Sequence, residues 1–335
     1  MDGPIAVQPL QGDITFTQVL DWSIIATRLL QFAAALILFG SSLFYLYGLS
    51  PTSAAGPGIS APGTASAPGR RLLLLAAVVA LASTILWIMA ETAALGADSS
   101  DSLRPSALLS VLSQTRFGQL AATRIGWLAI SISAAVALPA GKRLWIVQSV
   151  FGGALVASFA WSGHGAMNQG TARIVHLGAD VLHLLAAGVW IGALLPLSML
   201  ILRSLRTQAL THARQGAHAL TRFSGVGLAV VATLILTGCV NSWYLIGPTH
   251  WRELFTSPYG LMLSMKLALF ALLLLLAAVN RLRLAPQLRT ALLKPAALAV
   301  ALRRLRASLI AETVLALLVL GLVAVLGTLA PPVSR

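Results

Sequence analysis

The sequence has 335 residues, of which 58% are hydrophobic and only 10% are charged. Because a soluble domain typically carries about 25% charged residues, this composition excludes a water-soluble protein and indicates a polytopic membrane protein. The net charge of +14 comes from Lys and Arg residues that lie between apolar segments, a distribution that argues against nucleic acid as a partner. The single cysteine, Cys239, excludes a disulfide framework and a multi-cysteine metal cluster.

Eight apolar segments are long enough to cross a bilayer, which requires roughly 20 residues. They lie at about residues 22–48, 72–96, 119–140, 144–162, 172–201, 223–246, 259–282 and 306–330. The sequence therefore predicts an all-α fold, a polytopic membrane bundle of eight transmembrane helices that forms a single domain over residues 1–335. Such a bundle contacts the lipid bilayer.

The charges outside these segments predict the topology. Residues 1–21 contain Asp2, Asp13 and Asp21 but no basic residue, which is the reverse of the start of a signal peptide. The connections after the first, third, fifth and seventh segments hold fifteen Lys and Arg residues, and the regions on the other side hold five. The positive-inside rule therefore predicts that both termini are periplasmic and that residues 1–21 form a periplasmic leader.

Three connections have a composition of their own. Residues 51–69 are rich in Pro and Gly and predict a flexible cytoplasmic linker. Residues 106–117 are too short to span the bilayer and predict an interfacial helix on the periplasmic side. Residues 281–306 carry seven basic residues and no acid, so we expect this segment to lie against anionic headgroups, with helix breaks at Pro286 and Pro295.

The fifth apolar segment carries a stripe of polar residues. At 100° per residue, Asp180 lies about 40° and His183 about 20° from His176 around the helix axis, and Trp190 lies about 40° away. Charged or polar groups inside hydrocarbon are costly and usually have a partner or a function. Gly188 and Gly192 lie on a different face, which predicts close packing against another helix.

The depth of these residues predicts a polar vestibule that opens to the periplasm. His176, Asp180 and His183 lie roughly 6, 12 and 17 Å from the outer end of their helix. Two further residues with copper-binding side chains, His164 and Met167, lie in the loop before this helix. The outer halves of the other segments supply Arg28, Glu91, Arg124, Lys266, Met89, Met262 and Met265.

Imidazole and thioether groups suit copper, and Cu(I) in particular. His176 and His183 are about 10.5 Å apart along the helix axis, too far for one ion to bind both, so we expect two sites in sequence or one site and a relay. Asp180 could orient the imidazoles. Two alternatives remain open: the three polar groups could hydrogen-bond neighbouring helices only, and the basic residues could bind an anionic group such as a haem propionate or a quinone.

The stretch from His176 to Leu194, HLGADVLHLLAAGVWIGAL, resembles the signature helix of the copper-resistance protein D (CopD) family. The resemblance covers roughly residues 160–332. Shorter stretches that share it are Gly163-His164, Arg222-Phe-Ser, Thr237-Gly238, Tyr259-Gly260 followed by Lys266, Asn280-Arg281, Glu312 and Pro331-Pro332.

This resemblance implies a bacterial inner-membrane protein that moves copper between periplasm and cytoplasm and works beside a periplasmic copper-binding partner, CopC. It implies a transport protein for copper homeostasis or resistance and not an enzyme. On this hypothesis His164 and Met167 capture the ion, and His176 and His183 pass it inward. Trp190 closes the inner end, and Met262 and Met265, which alone are more typical of packing, have a supporting role.

Two alternatives belong to other functional classes. A membrane electron carrier or cupric reductase with haem b would also use buried histidines, but it needs a second axial ligand on a facing helix, and the other predicted segments contain no histidine. The other is an assembly or signalling subunit, for which we expect neither metal nor haem binding.

Overall fold

The computed structural model describes residues 11–49, 66–96, 103–163, 170–247, 249–329 and 331–332. These residues contain helices and turns but no strand. The α-helices are α1 (Gln11–Tyr47), α2 (Ser66–Leu95), α3 (Pro105–Gln114), α4 (Arg116–Ala137), α5 (Lys142–Ser158), α6 (Gly170–Thr207), α7 (Leu210–Leu245), α8 (Glu253–Thr256), α9 (Pro258–Val279), α10 (Ala285–Ala291) and α11 (Pro295–Leu326).

Eight helical segments in the described part are long and apolar enough to cross a membrane, which confirms the predicted all-α bundle. They cover Trp22–Tyr47, Pro68–Leu95, Arg116–Ala137, Lys142–Ser162, Gly170–Thr207, Leu210–Leu245, Pro258–Ala291 and Ala296–Leu326. The periplasmic position of both termini stays a prediction. We call the end of the bundle where α6 begins the predicted periplasmic end, and the opposite end the predicted cytoplasmic end.

The helix limits differ from the prediction at several ends. α1 begins at Gln11, inside the predicted leader of residues 1–21. The prediction followed hydropathy, which marks the apolar segment but not the more polar turns that precede it in the same helix. α3 supplies the short helix predicted at residues 106–117. Most of the predicted linker at 51–69 lies outside the described residues, and α2 begins at Ser66.

The helix break predicted at Pro286 is wrong. A π-helical turn (Asn280–Leu284) follows α9, and α10 continues the same membrane-spanning segment to Ala291. The N–H of Ala285 bonds to the carbonyl of Asn280, five residues earlier, and Pro286 then occupies the first turn of α10, where its missing N–H needs no partner. The break predicted at Pro295 is confirmed, since α11 begins there.

α6 is the central helix of the bundle, because it packs against α1, α5, α7 and α11. One apolar core connects most of the helices. A second, smaller apolar cluster lies at the predicted periplasmic end and joins the end of α7, the start of α9 and the end of α11 through Ile246, Tyr259, Leu263 and Leu326. The faces that α6 turns to its neighbours therefore fix the positions of its polar residues.

The predicted close packing at Gly188 and Gly192 is confirmed, and the partner helix is α1. A Cβ atom added to Gly40 of α1 would overlap the carbonyl of Gly188, and a Cβ atom added to Gly192 would overlap the carbonyl of Leu36. Such a close approach requires glycine at positions 40 and 192, because a side chain at either position would overlap the facing backbone. This contact holds α1 and α6 together, and the opposite face of α6 packs against α7.

Pro196 in the middle of α6 removes the N–H that would bond to the carbonyl of Gly192. The hydroxyl of Ser41 on α1 donates to this carbonyl at 2.6 Å. Because no water is present in the hydrocarbon layer to satisfy a free backbone carbonyl, Ser41 supplies the missing donor. The α1–α6 interface thus combines close glycine contact with one interhelical hydrogen bond.

Candidate functional site

The polar residues of α6 face α7 and α9, where each meets a polar or aromatic partner. We call this group the α6–α7–α9 cluster. It consists of His176, Asp180 and His183 from α6, Thr237, Asn241 and Tyr244 from α7, and Tyr259 and Lys266 from α9. The stripe predicted on α6 therefore points towards protein and not towards lipid.

The hydrogen bond between His183 and Thr237 fixes the protonation of the imidazole. Nδ1 of His183 lies 2.9 Å from Oγ1 of Thr237. The hydroxyl of Thr237 has one hydrogen and lies 2.6 Å from the carbonyl of Thr233; with that hydrogen donated to Thr233, Oγ1 accepts at the His183 contact. Nδ1 therefore carries the hydrogen, and Nε2 keeps the lone pair with which a neutral imidazole binds a metal ion.

Asp180 lies one turn before His183 and has different partners. Its Oδ1 accepts a hydrogen bond of 2.7 Å from Nδ2 of Asn241. The carboxylate also interacts electrostatically with Lys266 and Tyr259 of α9. The sequence suggested that Asp180 orients the imidazoles. At His183 this role belongs to Thr237. Asp180 instead supplies negative charge beside the ammonium group of Lys266.

His176 is the outermost described member of the cluster on α6. Its side chain is 1% exposed and stacks on the ring of Tyr244, with ring centroids 4.8 Å apart and planes inclined by 9°. Stacking on a phenol ring holds an imidazole at a fixed angle. His176 and His183 thus occupy separate positions along α6, each against a different residue of α7.

The chain enters the cluster from the end of the fourth membrane-spanning segment. A Cβ atom added to Gly163 would lie 3.8 Å from Oδ2 of Asp180, so the backbone at Gly163 runs past the carboxylate. The predicted capture residues His164 and Met167 follow directly in the sequence but lie outside the described residues. Their role stays a prediction.

Arg28 and Glu91 belong to a second group of buried polar residues, between α1, α2, α4 and α5. Arg28 interacts electrostatically with Glu91, and its guanidinium group lies 5.3 Å from the ring of Trp87. Arg124 is fully buried and donates to Ser158 and Ser162 over 2.7–3.0 Å. The sequence had assigned Arg28, Glu91 and Arg124 to one vestibule with Lys266; the structure divides these residues between two clusters.

The two methionines of α9 differ in their surroundings. Met262 packs against the small apolar cluster at the predicted periplasmic end. Met265 is 50% exposed. Met262 thus has a packing role, and the supporting role of both methionines in copper binding stays a prediction.

Trp190 lies two turns beyond His183 on α6, towards the predicted cytoplasmic end. It is buried, packs edge-on against Phe270 and hydrogen-bonds Glu312 of α11. Glu312 also accepts a hydrogen bond from Nδ2 of Asn280 in the π turn. The polar stripe of α6 therefore ends at a buried carboxyl group.

The described residues contain no group of three or more His, Cys, Asp or Glu side chains that could enclose a metal ion. Within them, His183 Nε2 and the neighbouring carboxylate of Asp180 are the groups of the cluster best suited to a passing cation. A b-type haem would need a second axial ligand. In the described part of the cluster, α7 places Thr237 against His183 and Tyr244 against His176.

Of the three polar partners on α7, the sequence pointed to Thr237 only as part of the family resemblance, and not to Asn241 or Tyr244. A signal for them exists, because Thr233, Thr237, Asn241 and Tyr244 recur at spacings of three and four residues and share one face of a helix. Single threonines and asparagines are common in membrane helices, so only the pairing of this stripe with the one on α6 reveals its role.

Comparison with known proteins gives two family matches. Residues 19–174 match the family described as "Copper resistance protein D-like, N-terminal domain". Residues 217–326 match the family described as "Copper resistance protein D". The first match covers the N-terminal half, most of which lies outside the residues 160–332 that carry the sequence resemblance.

Three curated relatives are similar to the chain. Copper resistance protein D of Pseudomonas syringae pv. tomato is 35% identical over 92% of this chain and 96% of its own length. Inner membrane protein YebZ of Escherichia coli (strain K12) is 27% identical over 81% of this chain and 87% of its own length. Copper transport protein CutJ of Bacillus subtilis (strain 168) is 30% identical over 44% of this chain and 26% of its own length. No solved structure matches significantly.

Proposed function

The chain belongs to the copper resistance protein D family, and on this premise we propose that it is a copper permease that moves copper ions between periplasm and cytoplasm. A role in copper handling is supported by relatives named for copper resistance and for copper transport. The observation that carries the proposal is the His183–Thr237 contact, which presents a lone-pair nitrogen inside the bundle.

The location follows from the fold and from the relatives. The eight apolar helices and a relative named as an inner membrane protein support a multi-pass location in the bacterial inner membrane. The excess of Lys and Arg in the connections after the odd-numbered spans supports a periplasmic position of both termini. In this orientation the α6–α7–α9 cluster lies in the periplasmic half of the bundle.

The cargo passes along the stripe of α6. We propose that Nε2 of His183 binds the copper ion and that the carboxylate of Asp180 offsets part of its charge. His176 takes the ion first, because it lies about 10.5 Å nearer the predicted periplasmic end. The proposed route begins at a CopC-like periplasmic protein, which donates the ion. His164 and Met167 then capture it.

Uptake of copper by proteoliposomes tests this proposal. His183→Ala and His176→Ala should each abolish copper accumulation, whereas His218→Ala is the matched control, because His218 is an exposed histidine on the same bundle. Equal uptake by the wild type and the His183→Ala variant would refute the assignment. A visible spectrum of the purified protein separates copper transport from haem-dependent electron transfer, since only the latter requires a Soret band.

A further inference from the structure

Glu312 is a buried acidic residue that the proposed copper route does not use. Its side chain is 1% exposed. Its partners are the amide of Asn280 and the indole of Trp190, and among the described residues no cationic group pairs with it. An ionised carboxylate without a counter-ion is costly within the hydrocarbon layer. Glu312 therefore needs a proton or another cation beside it.

The amide of Asn280 points to the same requirement. Asn280 is 6% exposed, its Nδ2 donates to Glu312, and its Oδ1 has no hydrogen-bond partner among the described residues. A buried acceptor without a donor is unfavourable. A carboxylic acid and an amide can form two hydrogen bonds to each other, one in each direction. A proton on Glu312 would provide the donor that Asn280 Oδ1 lacks.

A cavity of about 210 Å³ gives Glu312 and Asn280 a route to the surroundings. Most of its wall is apolar and comes from α7 and α9, with residues such as Phe223, Val230 and Leu274. Arg281 lies on its exposed side and donates to the carbonyl of Ser224 at 2.7 Å. Arg281 is the other charged residue that lines the cavity in the described part of the chain.

The carboxyl group of Glu312 is connected to the copper route through Trp190. Trp190 lies seven residues beyond His183, about 10.5 Å along the axis of α6, and hydrogen-bonds Glu312. Oxygen ligands alone do not suit copper, so a second copper site at Glu312 and Asn280 does not fit their chemistry. A proton does.

We propose that Glu312 carries an exchangeable proton that is coupled to copper movement, an inference that rests on the proposed transport function. When a copper ion occupies the stripe of α6, the O–H bond of the Glu312 carboxyl group breaks, and the proton leaves past Arg281, on the exposed side of the cavity, to water at the predicted cytoplasmic end. The carboxylate that remains offsets one positive charge of the ion. When the ion leaves, Glu312 takes up a proton again.

Copper and proton fluxes of the full-length chain in proteoliposomes test this proposal. In the wild type, an imposed pH gradient should change the copper flux, and proton movement should accompany it. Glu312→Gln should keep copper binding at the α6–α7–α9 cluster but lose at least tenfold in copper flux and all dependence on the gradient. Glu312→Asp should retain part of the dependence on the pH gradient. Glu253→Gln is the matched acidic control, and it should retain the full dependence.

Infrared difference spectroscopy gives a second measurement that does not depend on transport. The copper-free wild type should show the carbonyl band of a protonated carboxyl group, this band should decrease when copper binds, and Glu312→Gln should lack it. The proposal is overturned if Glu312→Gln keeps the pH-gradient dependence, if a sodium gradient replaces the pH gradient, or if the band persists in the variant. If the wild type moves no copper, the transport function fails, whereas the band still reports whether Glu312 holds a proton.

Discussion

Nδ1 of His183 donates to the hydroxyl of Thr237 over 2.9 Å, and this contact leaves Nε2 of the same ring as the nitrogen with a lone pair. A histidine that binds a metal ion usually has its other nitrogen held by a hydrogen-bond acceptor. Here the acceptor is a neutral hydroxyl group on α7 and not the carboxylate on α6. If copper binds at Nε2, as proposed, its affinity should depend on Thr237, a residue that does not touch the ion.

The first prediction concerns Thr237. In Thr237→Val the acceptor is lost, the imidazole can take the other tautomer or rotate, and copper binding should weaken about 10–100-fold. Thr237→Ser should restore it. Thr233→Val is the control on the same helix, since the hydroxyl of Thr233 bonds within α7. Titration of the purified variants with copper measures the effect, and an unchanged affinity in Thr237→Val would contradict the assigned tautomer.

The second prediction concerns Lys266, whose ammonium group interacts with both Asp180 and His183. A positive charge beside a cation site lowers its affinity, because like charges repel each other more strongly inside a protein than in water. Lys266→Met should therefore bind copper about tenfold more tightly, which corresponds to about 1.4 kcal/mol. Asp180→Asn should bind it more weakly.

The control for Lys266→Met is Lys142→Met, because Lys142 is exposed at the start of α5. It should leave copper affinity unchanged. Copper affinity that is equal in Lys266→Met and in the wild type would show that the ion does not pass near this ammonium group.

The third prediction concerns the contact between α1 and α6. Gly192→Ala places a methyl group against the backbone of Leu36 and Gly40, so it should destabilise the bundle by about 1–3 kcal/mol or more. Gly126→Ala is the matched control, because nothing lies within 4 Å of the added atom, and it should be neutral or stabilise α4 by up to about 1 kcal/mol. Thermal unfolding in detergent compares the two. Equal unfolding temperatures would mean that α1 and α6 are not in backbone contact.

The fourth prediction concerns topology. In a Cys239→Ser background, Thr249→Cys at the predicted periplasmic end should react with a membrane-impermeant thiol reagent in intact spheroplasts. Gln208→Cys, which lies between α6 and α7 and outside every span, should react only after the membrane is opened. Both positions are exposed, so accessibility to the reagent depends on the side of the membrane. The reverse pattern would place both termini in the cytoplasm.

The sequence was sufficient for the main architecture. Long apolar segments define eight spans because the bilayer fixes their length, and the spacing of Gly188 and Gly192 predicted a close helix contact, which is with Gly40 of α1. Helix continuation through Pro286 could not be predicted, because the π turn that accommodates this proline depends on local backbone geometry.

The candidate site was predictable only on α6. The angular positions of His176, Asp180 and His183 follow from the helical repeat, so the sequence was sufficient to place them on one face. Which polar residue on α7 meets each of them depends on the packing of two helices, and a single sequence does not specify that packing. Arg28 and Lys266 show the same limit, since equal depth in the membrane did not make them neighbours.

The most direct test of the copper route is the copper content of the purified protein after loading and washing. The wild type and the His218→Ala control should retain equal amounts of copper. The His176→Ala/His183→Ala double variant should retain none while it still folds, as a cooperative unfolding transition in detergent would show. A double variant that holds as much copper as the wild type would contradict the proposal that the ion passes along α6.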